Sequence, residues 1–390
     1  MVILSHIKRF IKETDIILLL ICIATSVFGV LMVHSATYQD ISEGSVLSRD
    51  TQTMILAVTV GIIAAVVISA IDYEAFLRLW PVVAIVSIAL MVLLFFVGVG
   101  PESRSDVKTW LVLGNTGLYF QPSELVKLGF IITFTAHLDK LGEKANKFGH
   151  FVLLCVHAAI PIVLVYLTGD LGSALVFIFV FVVMIFTAGI YIRYFVLGAA
   201  VLGGLTPIAW LYVLSDTQKE RILALFYPEE YEDIIYQQEQ GLAALKNGGL
   251  WGTGYLQGTY TQNGLVPESE NDMIFTVVGE ELGFAGCVLL LLLLFMIVAK
   301  ITRNGIKAKN NAASLICYGT AAMIASQVIV NVGMCFEIFP VIGITLPFIS
   351  AGGSSNLCIY LGIGLILSVY RYEKKNKNVQ FNQINIQNSF

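Results

Sequence analysis

Apolar runs of about 17–25 residues recur along the whole chain, separated by shorter polar stretches rich in glycine, proline and charge. That is the length a helix needs to cross a hydrocarbon core of roughly 30 Å. Ten such runs are legible, near 16–36, 52–71, 80–99, 122–137, 151–168, 171–188, 194–215, 272–299, 313–337 and 342–370. The fourth is short and carries Glu124, Lys127 and His137. The pattern predicts an all-α polytopic membrane protein in which residues 1–370 form a single transmembrane domain. Residues 371–390 form a short tail, and its NKNVQFNQINIQNSF stretch is too polar to order itself, so it is read as disordered.

Composition supports this reading. Of 390 residues, 57% are hydrophobic and only 13% charged, and the mean hydropathy is +0.82, which excludes an ordinary soluble domain. The N-terminal run follows Lys8, Arg9 and Lys12 as a signal peptide would. It is too long for one and lacks a cleavage site, so it reads as an uncleaved first span. The six cysteines lie in apolar segments without metal-ligand spacing and read as small buried hydrophobes.

The distribution of basic residues orients the spans. The N-terminus, the loops after even-numbered spans and the tail hold sixteen Lys and Arg, and the opposite loops hold six. Both termini are therefore expected in the cytoplasm. Two loops then lie outside: residues 100–121, and a large extracellular loop, 216–271, between spans seven and eight. A loop of that length in a compact bundle usually carries function.

The large loop closes on LVPESENDMIFTVVGEELGFAG, which places Glu268, Glu270 and Asp272 just before an apolar run. With Asp272 at the head of a helix, Thr276, Gly279, Gly283 and Gly286 fall on its side, a small and polar face suited to close packing around a cavity. Glu280 borders that face, and Glu281 points toward a neighbouring helix. Asp272 suits two roles: an N-cap, or a carboxylate base whose proton affinity is raised by desolvation.

Further polar residues lie in or beside the spans. FQPSELVKLGF sets Glu124 and Lys127 one turn apart, as an ion pair or a cavity lining. Asp170 in TGDLGSALVF is either a helix cap or a ligand contact. Lys108 and Trp110 in SRSDVKTWLVLG combine a cation with an interfacial indole, suited to a phosphate or sugar or simply to anchoring. LPFISAGGSSN breaks the chain before the last span and could offer backbone N–H groups to an anion. No phosphate-loop, kinase-like or metal-type Cys/His motif is present, and GGLWGTGYLQG does not follow a strand as a dinucleotide fingerprint does. Chemistry on the outer face would need a donor already activated within the membrane, such as a lipid-linked pyrophosphate sugar.

From Asp15 to Tyr370 the chain resembles the shape, elongation, division and sporulation (SEDS) family of polytopic cell-wall polymerases, which includes RodA, FtsW and SpoVE. The likeness is carried in order by FGVLMVHSAT, KTWLVLG…FQPSELVKL, DLGSALVF, QKERI, YQQEQGLAALKNGGLWGTG, PESENDMIFTVVGEELGF and LPFISAGGSS. It implies a peptidoglycan glycosyltransferase, a hexosyltransferase that polymerises lipid II outside the cytoplasmic membrane by inverting β-1,4 transfer. Asp272 matches the family's essential acidic residue and would be the general base. Lys108, Trp110, Gln121, Glu124, Lys127, Asp170, Arg221, Gln237, Glu268, Ser354 and Ser355 are the substrate-binding candidates on the same matching, and Arg49 is a looser match. The resemblance also implies metal assistance by a divalent cation such as Mg2+ or Mn2+, although no residue identifies a metal site, and no organic cofactor. It further implies a class B penicillin-binding protein (a single-span transpeptidase) as partner, other elongation or division complex proteins, and no nucleic acid. Four positions depart from the family pattern: Gly169 precedes Asp170 and Ser173 follows Gly172 where the family commonly has P-D-L-G-T, Ala351 replaces an aromatic, and Gly241 stands where Ser is frequent. The rival reading is a lipid II flippase or transporter using a cavity around Glu124, Lys127 and Asp170. Against it, the acidic features gather at the outer lip and no inverted repeat is visible. A scaffold for the transpeptidase is a third reading, compatible with polymerisation.

Overall fold

The computed structural model describes residues 12–41, 44–100, 107–112, 114 and 118–387, the last thirteen as backbone alone. Lys8, Arg9 and Arg104, three of the basic residues used for orientation, lie outside them. Among the described residues the helices run α1 (Ile16–Ala36), α2 (Arg49–Ser69), α3 (Tyr73–Arg78), α4 (Trp80–Val97), α5 (Pro122–Leu141), α6 (Phe148–Leu167), α7 (Leu171–Thr187) and α8 (Ile192–Ile208, prolonged by a π turn at Ala209–Val213). Then follow α9 (Asp216–Ala224), α10 (Glu232–Gly248), α11 (Thr259–Gln262), α12 (Ile274–Lys307), α13 (Asn311–Cys335) and α14 (Gly353–Gln387). A two-residue hairpin, β1 (Leu111–Val112) and β2 (Tyr119–Phe120), precedes α5.

All ten expected spans are helices. Eight are long and apolar enough to cross a membrane, α7 is a shorter apolar helix of 17 residues, and α5 carries the charges that depress its hydropathy. Polar caps fix several starts: Asp15 accepts from Leu18 N, Ser48 from Thr51 N, Asn310 from Ala312 N, and Ser215 forms a capping box with Gln218. Both ends of the described chain meet at one end of the bundle. There Arg371 pairs with Glu13 (3.0 Å) and Lys300 with Asp15 (3.3 Å).

Close approach within the bundle is bought with small residues. α14 lies along α2, where a Cβ on Gly61 would press on Tyr360 and one on Gly364 on Ala65. Tyr360 Oη and Ser26 Oγ pair across the core at 2.9 Å. α8 is the exception, with almost none of its surface buried in the protein.

The structure corrects the expected start of the last span. The last helix begins at Gly353 rather than near 342, and residues 336–352 form a non-helical strap. Pro340 and Pro347 oppose helix there, and Gly343 (φ 69°) and Phe348 (φ 68°) take left-handed backbone. The polar tail continues as helical backbone to Gln387, since extending a formed helix costs less than starting one. Within the large loop the chain folds into α9, α10 and α11.

α12 is broken at Gly283, whose φ of 67° and ψ of −167° are not helical. The GGLWGTG run fills the break with its own backbone. Thr253 N donates to Glu280 O (2.9 Å), Gly254 N to Glu281 O (3.0 Å) and Phe284 N to Gly249 O (2.9 Å). Gly252 sits at φ 80° where a Cβ would meet the Glu281 carbonyl, so steric need explains this glycine.

Gly252→Ala should therefore cost about 3 kcal/mol or more, combining left-handed strain with collision. Gly264, also left-handed (φ 63°) but with nothing near its missing Cβ, should cost only about 1–2 kcal/mol as alanine. Thermal unfolding in detergent measures both; equal losses would show that the break in α12 does not need this contact.

Candidate active site

Asp272 lies one turn before the body of α12, at the end of the bundle opposite the termini. It is 7% exposed. The N-cap position belongs to Met273 and no side chain caps the helix, so the capping role is not the one this carboxylate takes. Its Oδ1 accepts from Gln237 Nε2 (3.3 Å), and the same amide donates to Pro267 O (3.0 Å). Gln237 stands on α10, a helix of the large loop.

The position of Asp272 is set by backbone clasps. Asn331 on α13 donates from Nδ2 to Asp272 O (2.7 Å) and to Ile344 O in the strap (2.8 Å). Ser350 Oγ donates to Asn271 O (2.6 Å), and Ala351 N donates to Glu270 O (2.9 Å). Gln238, the neighbour of Gln237, holds Met334 O (2.7 Å) and Phe339 O (3.0 Å), and Arg221 holds Val341 O (2.6 Å). Five elements thus converge on one carboxylate: α9, α10, α12, α13 and the strap.

The electrostatics follow from this placement. Burial, then the negative charge of Glu268, pushes Asp272 up from its ordinary 3.8 to about 7, while Arg221 pulls the other way. Burial likewise raises Glu270 to about 7. Glu268 itself is exposed, at a left-handed φ of 53°, and accepts from Asn271 Nδ2 (2.9 Å).

The other candidates separate into two groups. Arg221, Gln237 and Glu268 surround Asp272. A second network joins the hairpin to the heads of α5, α7 and α14. Asp170 caps α7 through Ser173 N (2.8 Å) and accepts from Gln121 Nε2 (2.9 Å) and Ser123 Oγ (3.0 Å). Ser354 Oγ accepts from Gln121 N and donates to Tyr119 O, both at 3.1 Å, and Ser355 accepts from Thr345 Oγ1 (2.9 Å). Trp110 is half-buried and meets Tyr119 edge to face. Lys108 turns its ammonium back to Phe95 O (2.9 Å) at the end of α4. Glu124 and Lys127 form a buried ion pair at 2.7 Å. Arg49 opens α2.

The small face of α12 packs against α10 rather than lining a cavity. A Cβ on Gly279 would meet Leu245, one on Gly241 would meet Met273 and Thr276, and one on Gly248 would meet the Gly279 carbonyl. Glycine at 241, where the family pattern often has Ser, therefore has a packing reason. Sequence reasoning missed the structural weight of Glu280 and Glu281, both fully buried. Glu280 accepts from Asn247 Nδ2, Tyr260 N, Thr261 N and Thr261 Oγ1, and Glu281 from Ser35 Oγ on α1 and Gln262 Nε2. The signal available was two adjacent acids inside an apolar run, which demand donors. Gln238, Asn331 and Ser350 were also missed, because each reaches the site through backbone carbonyls distant in the chain. Among the described residues no group of three or more His, Cys, Asp or Glu side chains is placed to hold a metal ion.

Residues 15–375 match the family model for cell cycle proteins of the FtsW, RodA and SpoVE type. The chain is 32% identical over 367 residues to the probable peptidoglycan glycosyltransferase FtsW of Geobacter metallireducens, covering 92% of this chain and 95% of that protein. It is 31% identical to stage V sporulation protein E of Bacillus subtilis, covering 92% and 98%. Among solved structures it is similar, at 26% identity and a TM-score of 0.79, to a chain of a peptidoglycan synthase complex that coordinates polymerization and crosslinking, covering 93% of this chain and 98% of that one.

Two measurements test the site's physical state. Because folding raises the Asp272 pKa, the folded form holds that proton more tightly than the unfolded form. Stability is then undiminished below about 3.8, falls as pH rises, and is lowest above about 7, by up to roughly 4 kcal/mol. Asp272→Asn should melt higher than the wild type at pH 8, with the gap closing toward pH 4; a gap independent of pH would contradict the burial argument. Lys127→Met should cost about 3–5 kcal/mol by stranding Glu124, and Glu124→Gln combined with it should restore most of that loss. If the double variant melts no higher than the single, the two residues are not a coupled pair.

Proposed function

We infer function from the premise that the chain belongs to the FtsW, RodA and SpoVE family of cell cycle proteins: it is a peptidoglycan glycosyltransferase, with Asp272 as general base. The observation that carries the role of Asp272 is its combination of burial, a pKa near 7 and a hydrogen bond from the loop helix α10. A base poised near the working pH takes protons most efficiently.

The substrate in this reading is lipid II, which supplies both partners of the reaction as membrane-anchored sugars. The Asp272 carboxylate takes the proton from the acceptor's GlcNAc 4-hydroxyl as that oxygen bonds to the donor's anomeric carbon. The bond from that carbon to the undecaprenyl pyrophosphate oxygen breaks, and the pyrophosphate leaves with the electron pair from the opposite face. One β-1,4 link forms with inversion. Gln237 steadies the carboxylate, and Arg221, whose charge already acts on Asp272, would offset the charge of the leaving diphosphate. Lys108, Trp110 and the Gln121–Asp170–Ser354 network stand at the same end of the bundle and would border the sugars. Among the described residues no group of three or more His, Cys, Asp or Glu side chains is placed to hold a divalent ion, and the steps above use the chain's own residues.

The excess of Lys and Arg at the end where the termini meet orients that end to the cytoplasm, which puts Asp272 on the outer face of the cytoplasmic membrane. The natural partner is a single-span class B penicillin-binding protein, whose crosslinking would follow polymerisation, and other elongation or division proteins would join them.

The test is lipid II polymerisation in liposomes, with and without the transpeptidase. Wild-type kcat/KM should rise with pH through an apparent pKa near 7. Asp272→Asn should lose at least about 100-fold while still folding and binding the partner. Full activity in that variant would remove Asp272 from the chemistry. A wild type that moves lipid II across the bilayer without polymerising it would replace this reading with transport.

A further inference from the structure

Residues 247–267 contain no charged side chain, although they lie in the middle of a polar loop. They do not stay above the bundle. Phe284 N and Ala285 N, ten residues or more into α12, donate to Gly249 O and Leu250 O (2.9 and 3.2 Å). Tyr255 Oη donates to Leu31 O on α1 (3.0 Å), five residues before that helix ends. The turn at 249–257 therefore descends beside two spans.

Its depth can be judged from α12. Counting back from Lys300, which pairs with Asp15 at the other end of the bundle, Phe284 stands about 24 Å away at 1.5 Å per residue. That is close to the far edge of a hydrocarbon core roughly 30 Å thick. At this level the turn exposes Leu250 (68%) and Trp251 (82%), the most exposed of its large apolar side chains. Phe284 beside them is 62% exposed, and the same helix continues across the bundle toward Lys300 with Leu289, Leu292 and Phe295, all exposed. The patch is continuous with surface that faces lipid.

We infer that the Leu250–Trp251 turn is a membrane-interface anchor: it seats in the lipid head-group boundary and fixes the height of the loop that carries Gln237. Three features support lipid as the occupant. The backbone groups named above at this depth are paired with α12, as non-helical chain near hydrocarbon requires. The exposed residues are aliphatic and indole, the types that sit at membrane interfaces. The neighbouring surface is already a membrane-facing span. Because α10 ends at Gly248 immediately before the turn, the seat of Trp251 is coupled through one rigid helix to Gln237 and hence to Asp272. Lipid-anchored sugars enter at a fixed height, and an anchor at that height registers the base against them. The anchor itself does not depend on which reaction the site performs.

The test uses the full-length protein in phosphatidylcholine vesicles, ordinary or brominated near the head-group end of one acyl chain. Subtracting the emission of Trp251→Phe from that of the wild type isolates Trp251 among the four tryptophans, and phenylalanine preserves the turn's apolar bulk. The expected result is that the Trp251 component is lost in brominated vesicles and survives aqueous iodide. Loss to iodide with survival in brominated lipid would overturn the proposal, because the turn would then stand in water. A component open to iodide alone, and shielded only when a single-span transpeptidase is added, would also overturn it and assign the patch to a protein partner.

Discussion

Non-helical backbone inside a membrane bundle must find partners for its N–H and C=O groups, because hydrocarbon offers none. Among the described residues the 336–352 strap and the 249–257 turn are such segments, and the arrangement around Asp272 depends on how they are paired. Asn331, Gln238, Arg221 and Ser350 each donate to a backbone carbonyl of the strap or of the segment it meets. The turn pairs with the break in α12. The head of α12 is thereby held from several sides without consuming the Asp272 carboxylate itself.

That freedom distinguishes Asp272 from the acids that follow it in sequence. Glu280 is surrounded by four donors from α10 and α11, and Glu281 is tied to Ser35 and Gln262. Both are fasteners that lock the loop onto α12. Asp272 has the Gln237 amide, the opposing charges of Arg221 and Glu268, and little water. Its proton affinity is consequently set by burial and neighbouring charge, which is what a base working near neutral pH needs. Asp170 shows the third outcome. It stood equally for cap and ligand contact, and the structure spends both its oxygens on α7, Gln121 and Ser123.

The site was partly legible before the fold was known. Asp272, Gln237, Arg221 and Glu268 were named as candidates by the motif resemblance, and the fold brings these segments, far apart in the chain, together. Glu124 and Lys127 were readable as a pair because helical spacing alone puts them together. Lys108 was legible only as a cation; that it turns back to the end of α4 is decided by the hairpin. The small stripe of α12 was correctly read as close packing and misread as cavity lining, since periodicity finds a face but not what lies against it.

Ten apolar runs, their caps and the acidic threshold before α12 were determined by the sequence by itself, because transfer of apolar length into lipid and local hydrogen bonding act along neighbouring residues. Only the tertiary structure decided where the last helix starts, that α12 breaks at Gly283, and that Asp272 is held by the strap rather than serving as a cap. Those outcomes turn on backbone carbonyls meeting side chains from distant parts of the chain: Asn331 with Ile344, Ser350 with Asn271, Gly249 with Phe284. Backbone groups look the same at every position, so the pattern of side chains does not announce which of them will be joined.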